Sequence, residues 1–158
     1  MKSLKNVIEM GTFCGLAGFI IGSVFSFMSY GEGLFSFILF RATSASFITG
    51  SIVWYLLVVR QRNYSIGRVG LAGIIISIVS QFFLWYMQQF QNYLCFVTTG
   101  GCLNSFGEGP TFLSTIYVSF MALFLGLLWL GWLTIPLGFF IGIRVGNRQK
   151  ENQVGSSL

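Results

Sequence analysis

The chain has no histidine and no aspartate. Its side-chain carboxylates are Glu9, Glu32, Glu108 and Glu151, scattered over separate segments. Without imidazole there is no Ser-His-Asp or Cys-His nucleophile system, no histidine acid–base chemistry and no imidazole-ligated zinc or haem. Lysine occurs only near the two ends, and no glycine-rich loop runs into a lysine, which removes the P-loop. These absences predict a protein that is not an enzyme and holds no metal or cofactor. Charge of either sign is scarce, at 8% of 158 residues, against about 25% in soluble domains. With 54% of the residues hydrophobic, a soluble fold would lack the polar groups to cover its surface. Lipid is the predicted solvent.

What the chain does have is long apolar runs. A helix needs about 20 apolar residues to cross about 30 Å of hydrocarbon. Four stretches qualify: Ile8 to Met28, Leu34 to Val59, Val69 to Met87, and one between Thr111 and Ile143. Backbone groups cannot go unpaired in lipid, so each is predicted to be a helix. The second and fourth are longer than a perpendicular crossing needs. Tilt absorbs such excess; alternatively Leu34 to Phe40 lies at the interface and the crossing begins near Ala42. In the fourth, Pro136 removes a backbone donor and predicts a kink. The first run follows Lys2 and Lys5 as a signal peptide would, but no small-x-small cleavage site follows it. It is read as a retained first crossing. Gln88 to Pro110 is read as the one sizeable loop.

The net charge of +5 invites a nucleic-acid reading, which the positions of the charges oppose. Lys2 and Lys5 precede the first run; Arg60, Arg62 and Arg68 lie between the second and third; Arg144, Arg148 and Lys150 follow the last. The other two connections carry Glu32 and Glu108 and no basic residue. This is the positive-inside pattern. It predicts an integral protein of a bacterial-type plasma membrane, with both termini cytoplasmic, a lipid bilayer as surroundings and no nucleic-acid partner.

Two words recur in order. Gly15-Leu16-Ala17-Gly18 returns as Gly70-Leu71-Ala72-Gly73, and Ser29-Tyr30-Gly31-Glu32-Gly33 returns as Ser105-Phe106-Gly107-Glu108-Gly109. The predicted fold class is therefore an all-α membrane protein of four transmembrane helices. They form two parallel helical-hairpin repeats, about 8–59 and 69–143, in one domain, 1–148, with a polar cytoplasmic tail at 149–158.

Several residues stand out as candidates. Gly11, Gly15, Gly18 and Gly22 share one face of the first helix and permit close backbone approach. Ala42, Ala45, Ser46, Thr49 and Gly50 form a matching small-residue face on the second. The two faces are expected to pack together, or one of them to form a self-association seam. Arg41 is the one basic residue outside the basic segments. Its long stem can snorkel outward toward Glu32 and Glu108, predicting an ion pair that ties the hairpins; a site for an anion or lipid headgroup is the alternative. Glu9 is expected to pair with Lys5 or to favour the helix N-terminus. Gln81, with Ser77 and Ser80, is expected to hydrogen-bond between helices. Cys95 and Cys102 predict a small disulfide loop on an oxidising face, or else two free thiols; Cys14 reads as a buried hydrophobe. Two classes of function survive: an accessory subunit packed against a larger membrane complex, or a small homo-oligomeric transporter or channel.

Overall fold

The computed structural model describes residues 2–28, 35–61, 64–101 and 109–154. Helix α1 spans Lys2–Met28, α2 Phe35–Trp54, α3 Ile66–Thr99 and α4 Phe112–Val154. Among the described residues there is no strand, and four helices are long and apolar enough to cross a membrane. This is the build of a multi-pass membrane protein. The words around Glu32 and Glu108 lie almost wholly outside the described residues.

Helix α2 runs straight into a π-helical turn, Tyr55–Val59, in which the Arg60 amide donates to the Tyr55 carbonyl at 2.8 Å. The wider turn admits one extra residue. Trp54, Val58 and Val59 all face inward as a result.

Helix α3 corrects the expected loop boundary. It continues twelve residues beyond Met87, to Thr99, so Gln88 is helical. An aromatic ladder supports the extension: Phe82 stacks on Tyr86, Tyr86 on Phe90 and Phe90 on Tyr93, with Tyr93 edge-on to Phe112 of α4. Such i, i+3 and i, i+4 pairs stabilise a helix without apolar periodicity. Gly100 ends it in the left-handed conformation, φ 67°, its amide donating to the Phe96 carbonyl at 2.9 Å.

Helix α4 is continuous through Pro136 and runs to Val154. At 43 residues it is about 64 Å long, about twice the hydrocarbon thickness. Gln149, read from the sequence as the start of a polar tail, is a helical residue with no exposed surface.

The helices pair as two hairpins, α1 with α2 and α3 with α4. The α2–α3 seam joins them, and the α1–α4 seam is the loosest. In lipid no hydrophobic force draws helices together, so close packing must do it. A methyl on Gly18 would stand 2.6 Å from the Ala42 carbonyl oxygen, and one on Gly22 3.1 Å from the Ala42 Cβ. Gly11 and Gly15 lie against Phe47, and Gly50 against Cys14. Ala45 and Thr49 are buried, with the Thr49 hydroxyl donating to the Ala45 carbonyl at 2.6 Å.

The second hairpin is tighter. Gly73 and Gly138 face each other so closely that a methyl on either would strike the other's carbonyl. Gly142 and Gly146 continue the seam along Val69. Ser77 Oγ lies 3.1 Å from its own Gly73 carbonyl and 3.0 Å from the Thr134 carbonyl across on α4. Both Gly-Leu-Ala-Gly words thus turn glycines toward the next helix, but at different depths. Gly15 lies ten residues past Lys5, and Gly70 only two past Arg68.

Substituting Gly73→Ala is expected to lower the thermal midpoint in mild detergent, at a cost of about 1–3 kcal/mol for overpacking. Gly67 is the control, because a methyl there would have no neighbour within 4 Å. Gly67→Ala is expected to leave the midpoint unchanged or slightly higher.

Candidate functional site

Tight hairpins and a loose seam between them leave a cavity of about 440 Å³, within the range of about 300–1,000 Å³ typical of ligand sites. Its polar wall is a stripe on α3. Ser77, Gln81, Trp85 and Gln88 are spaced four, four and three apart, which sets them on one helix face. Helix α4 adds Gly126 and Thr134, α1 adds Gly18 and Gly22, and α2 adds Ala42 and Ser46. Apart from Ser80, the remaining wall is largely apolar, from residues such as Ile21, Ile76, Leu137 and Ile141. No carboxylate, amine or guanidinium lines the cavity among the described residues; its one titratable side chain is the Cys14 thiol.

Gln81 is the centre of the polar wall. Its Nε2 donates to Thr134 Oγ1 at 2.7 Å. Its Oε1 is buried and has no hydrogen-bond partner, a condition that costs about 1–3 kcal/mol. Gly126 stands opposite. A methyl there would lie 3.6 Å from Gln81 Oε1 and 3.2 Å from Trp85 Nε1. The missing side chain leaves a gap onto which an acceptor and a donor, one helical turn apart, both open.

The cavity has a rim and a floor. At the rim Arg41, 8% exposed, donates from Nη1 to Gln88 Oε1, joining α2 to α3. Arg41 precedes Arg60 by nineteen residues, about 28 Å along the helix. That is close to one hydrocarbon thickness, so Arg41 and Arg60 stand about one bilayer core apart along the helix. The floor is the enclosed cluster of Met10, Trp54, Val58 and Val69. Gln149 braces it: Trp54 Nε1 donates to Gln149 Oε1 at 3.1 Å, and Gln149 Nε2 donates to the Asn6 carbonyl at 2.9 Å. Below lies an ion pair, Arg148 to Glu9 at 3.2 Å. It corrects the expected Glu9–Lys5 pairing: α4 reaches past the end of the sequence-predicted crossing and brings Arg148 to α1. With the Arg148 side chain 65% exposed, the pair contributes little by itself.

The expected residues fall into three groups. Arg41 and Gln81 meet the cavity at its rim and wall. Gly18, Gly22, Ala42 and Ser46 serve both the α1–α2 contact and the cavity surface. Gly11, Gly15, Ala45, Thr49 and Gly50 belong to packing. Glu32, Glu108 and Cys102 lie outside the described residues, so the predicted ion pair with Arg41 and the Cys95–Cys102 bridge lie there too. Gln88, Gln149, Gly126 and the run Gly138, Gly142 and Gly146 do not stand out from the sequence. The glycine run has a legible signal, two consecutive small-x-x-x-small pairs. Gln149 is concealed by its polar neighbours.

No family model, curated protein or solved structure matches the chain.

Breaking the floor's polar link is expected to be costly and cooperative. Trp54→Phe and Gln149→Leu should each destabilise by about 1–3 kcal/mol, because each strands a buried partner. The double variant should cost less than the sum, with a coupling of about 1 kcal/mol in a double-mutant cycle of detergent unfolding. Additive losses would mean that the two side chains do not interact.

Proposed function

We propose that the chain is a non-catalytic accessory subunit of a larger membrane complex, acting by holding a small uncharged molecule between its hairpins. The observation that supports this most is the dead end. The cavity stops at a packed, hydrogen-bonded floor, and its wall carries no carboxylate, amine or guanidinium among the described residues. A neutral pocket that ends at such a floor suits retention better than conduction or chemistry. The outward face of α4, with Phe124, Trp129, Trp132 and Phe140 exposed, gives the helices of a partner an aromatic surface to pack on.

In the same reading the basic end faces the cytoplasm. The Cys95–Cys102 bridge closes the outer connection, a constraint that typically contributes about 2–4 kcal/mol. Sidedness has a direct test in cells with the native cysteines replaced by serine. A membrane-impermeant maleimide is expected to label Thr98→Cys in intact cells, and Gln61→Cys only after permeabilisation. Labelling of both in intact cells would overturn the topology.

Purified protein in liposomes is expected to pass no ion or small solute above the level of empty vesicles, and mild detergent extraction is expected to retain a stoichiometric larger membrane protein. Specific flux that Gln81→Leu abolishes would instead establish the transporter reading.

A further inference from the structure

We infer that the cavity's ligand is an uncharged amphiphile bearing a free hydroxyl group, its head at Gln81 and Trp85 and its chain along Ile76 and Leu137. This rests on the cavity being a binding site, as proposed above, and adds the chemistry of what it binds. Gln81 Oε1 is a buried acceptor with no donor, so a complementary ligand must bring an O–H or N–H. Trp85 Nε1, a donor only, opens onto the same gap over Gly126, so a ligand group held there can also accept. A single hydroxyl does both.

Charge argues the same way. Among the described residues a phosphate or carboxylate head would sit among Gln, Ser, Thr and Trp with no cation on the cavity wall, and an ammonium would find no anion; a buried charge without a partner is strongly disfavoured. Arg41 does not supply the missing cation, because it stands at the rim with Gln88 rather than on the wall. Most of the rest of the lining is apolar, which suits an alkyl or isoprenoid body. The loose α1–α4 seam gives such a molecule a route in from the lipid. A free long-chain alcohol and a diacylglycerol share this head chemistry.

The test uses the full chain in lipid nanodiscs with three photoactivatable probes of one chain length: a long-chain alcohol, its methyl ether and the corresponding carboxylic acid. The alcohol is expected to label cavity residues saturably. Its affinity should exceed that of the ether about five- to tenfold, the worth of one hydrogen bond, and the acid at neutral pH should bind no better than the ether. Gln81→Leu and Trp85→Phe should each erase the preference of alcohol over ether. Competition by unlabelled alcohol or diacylglycerol then distinguishes the two sources. Equal labelling by alcohol and ether in the unsubstituted chain, or tighter labelling by the acid, would overturn the hydroxyl assignment while leaving the binding reading intact. Absence of saturable labelling by any probe would remove the binding site itself and leave Gln81 to an ordinary water. The alcohol–ether comparison needs no variant, so the inference stays testable should either substitution disturb the fold.

Discussion

Backbone contact through glycine is the constraint on which the rest of this structure depends. Between helices in lipid there is no hydrophobic drive, so attraction comes from packing and from hydrogen bonds. Where Gly73 meets Gly138, carbonyl and Cα approach with no side chain between them. The same device, less tightly, holds Gly18 and Gly22 against α2. Each hairpin is therefore closely packed. The hairpins meet each other through bulkier residues, Met10, Trp54 and Val58 at one level and Arg41 with Gln88 at another. Tight seams within pairs and wide spacers between them leave space in the middle, and the cavity follows from that mismatch.

The second constraint is that polar groups away from water must be paired. The amides obey it in a regular way: Gln149 takes Trp54 and Asn6, Gln88 takes Arg41, and Gln81 takes Thr134 with its nitrogen. The hydroxyls of Thr12, Ser23, Thr43 and Ser80 bond back to carbonyls of their own helices. Among the described residues two buried oxygens stand apart, Ser51 Oγ and Gln81 Oε1. They differ in setting. Ser51 lies in the closed α1–α2 seam against Gly11, where nothing else fits. Gln81 looks into open volume, and only there can an outside group complete the bond.

Much of the architecture was legible in the sequence, because in a membrane protein the solvent itself imposes long apolar runs. The number of helices and their order followed from that alone. Ends were harder to read. Apolar periodicity stops near Met87, but α3 goes on, since stacked Phe and Tyr rings support helix without needing an apolar face. Likewise α4 outlasts its hydrophobic run, since Gln149 finds its partners on α1 and α2, elements more than ninety residues away in the chain. The glycine face of α1 stood out by spacing, whereas the stricter run on α4 is spread among bulky apolar residues and basic ones that hide its period. The cavity had no local signature at all. Gln81 and Gly126 acquire a joint meaning only once α3 and α4 are placed side by side.

The positions of the inter-hairpin ties bear on how the molecule behaves. Arg41 with Gln88 ties the hairpins at one level, and Trp54, Gln149, Asn6 and the Arg148–Glu9 pair tie them at another. Rocking one hairpin against the other, as alternating access requires, would have to break at least one of these ties. Each hydrogen bond so broken between these buried side chains would cost about 1–3 kcal/mol. The floor is the costlier to open, since the Trp54 N–H, both ends of the Gln149 amide and the Asn6 carbonyl would lose partners together. The two hairpins are thereby held as one body around a fixed space. Under the proposed function the bundle admits a molecule from the side and retains it, because opening the floor without replacement hydrogen bonds is costly.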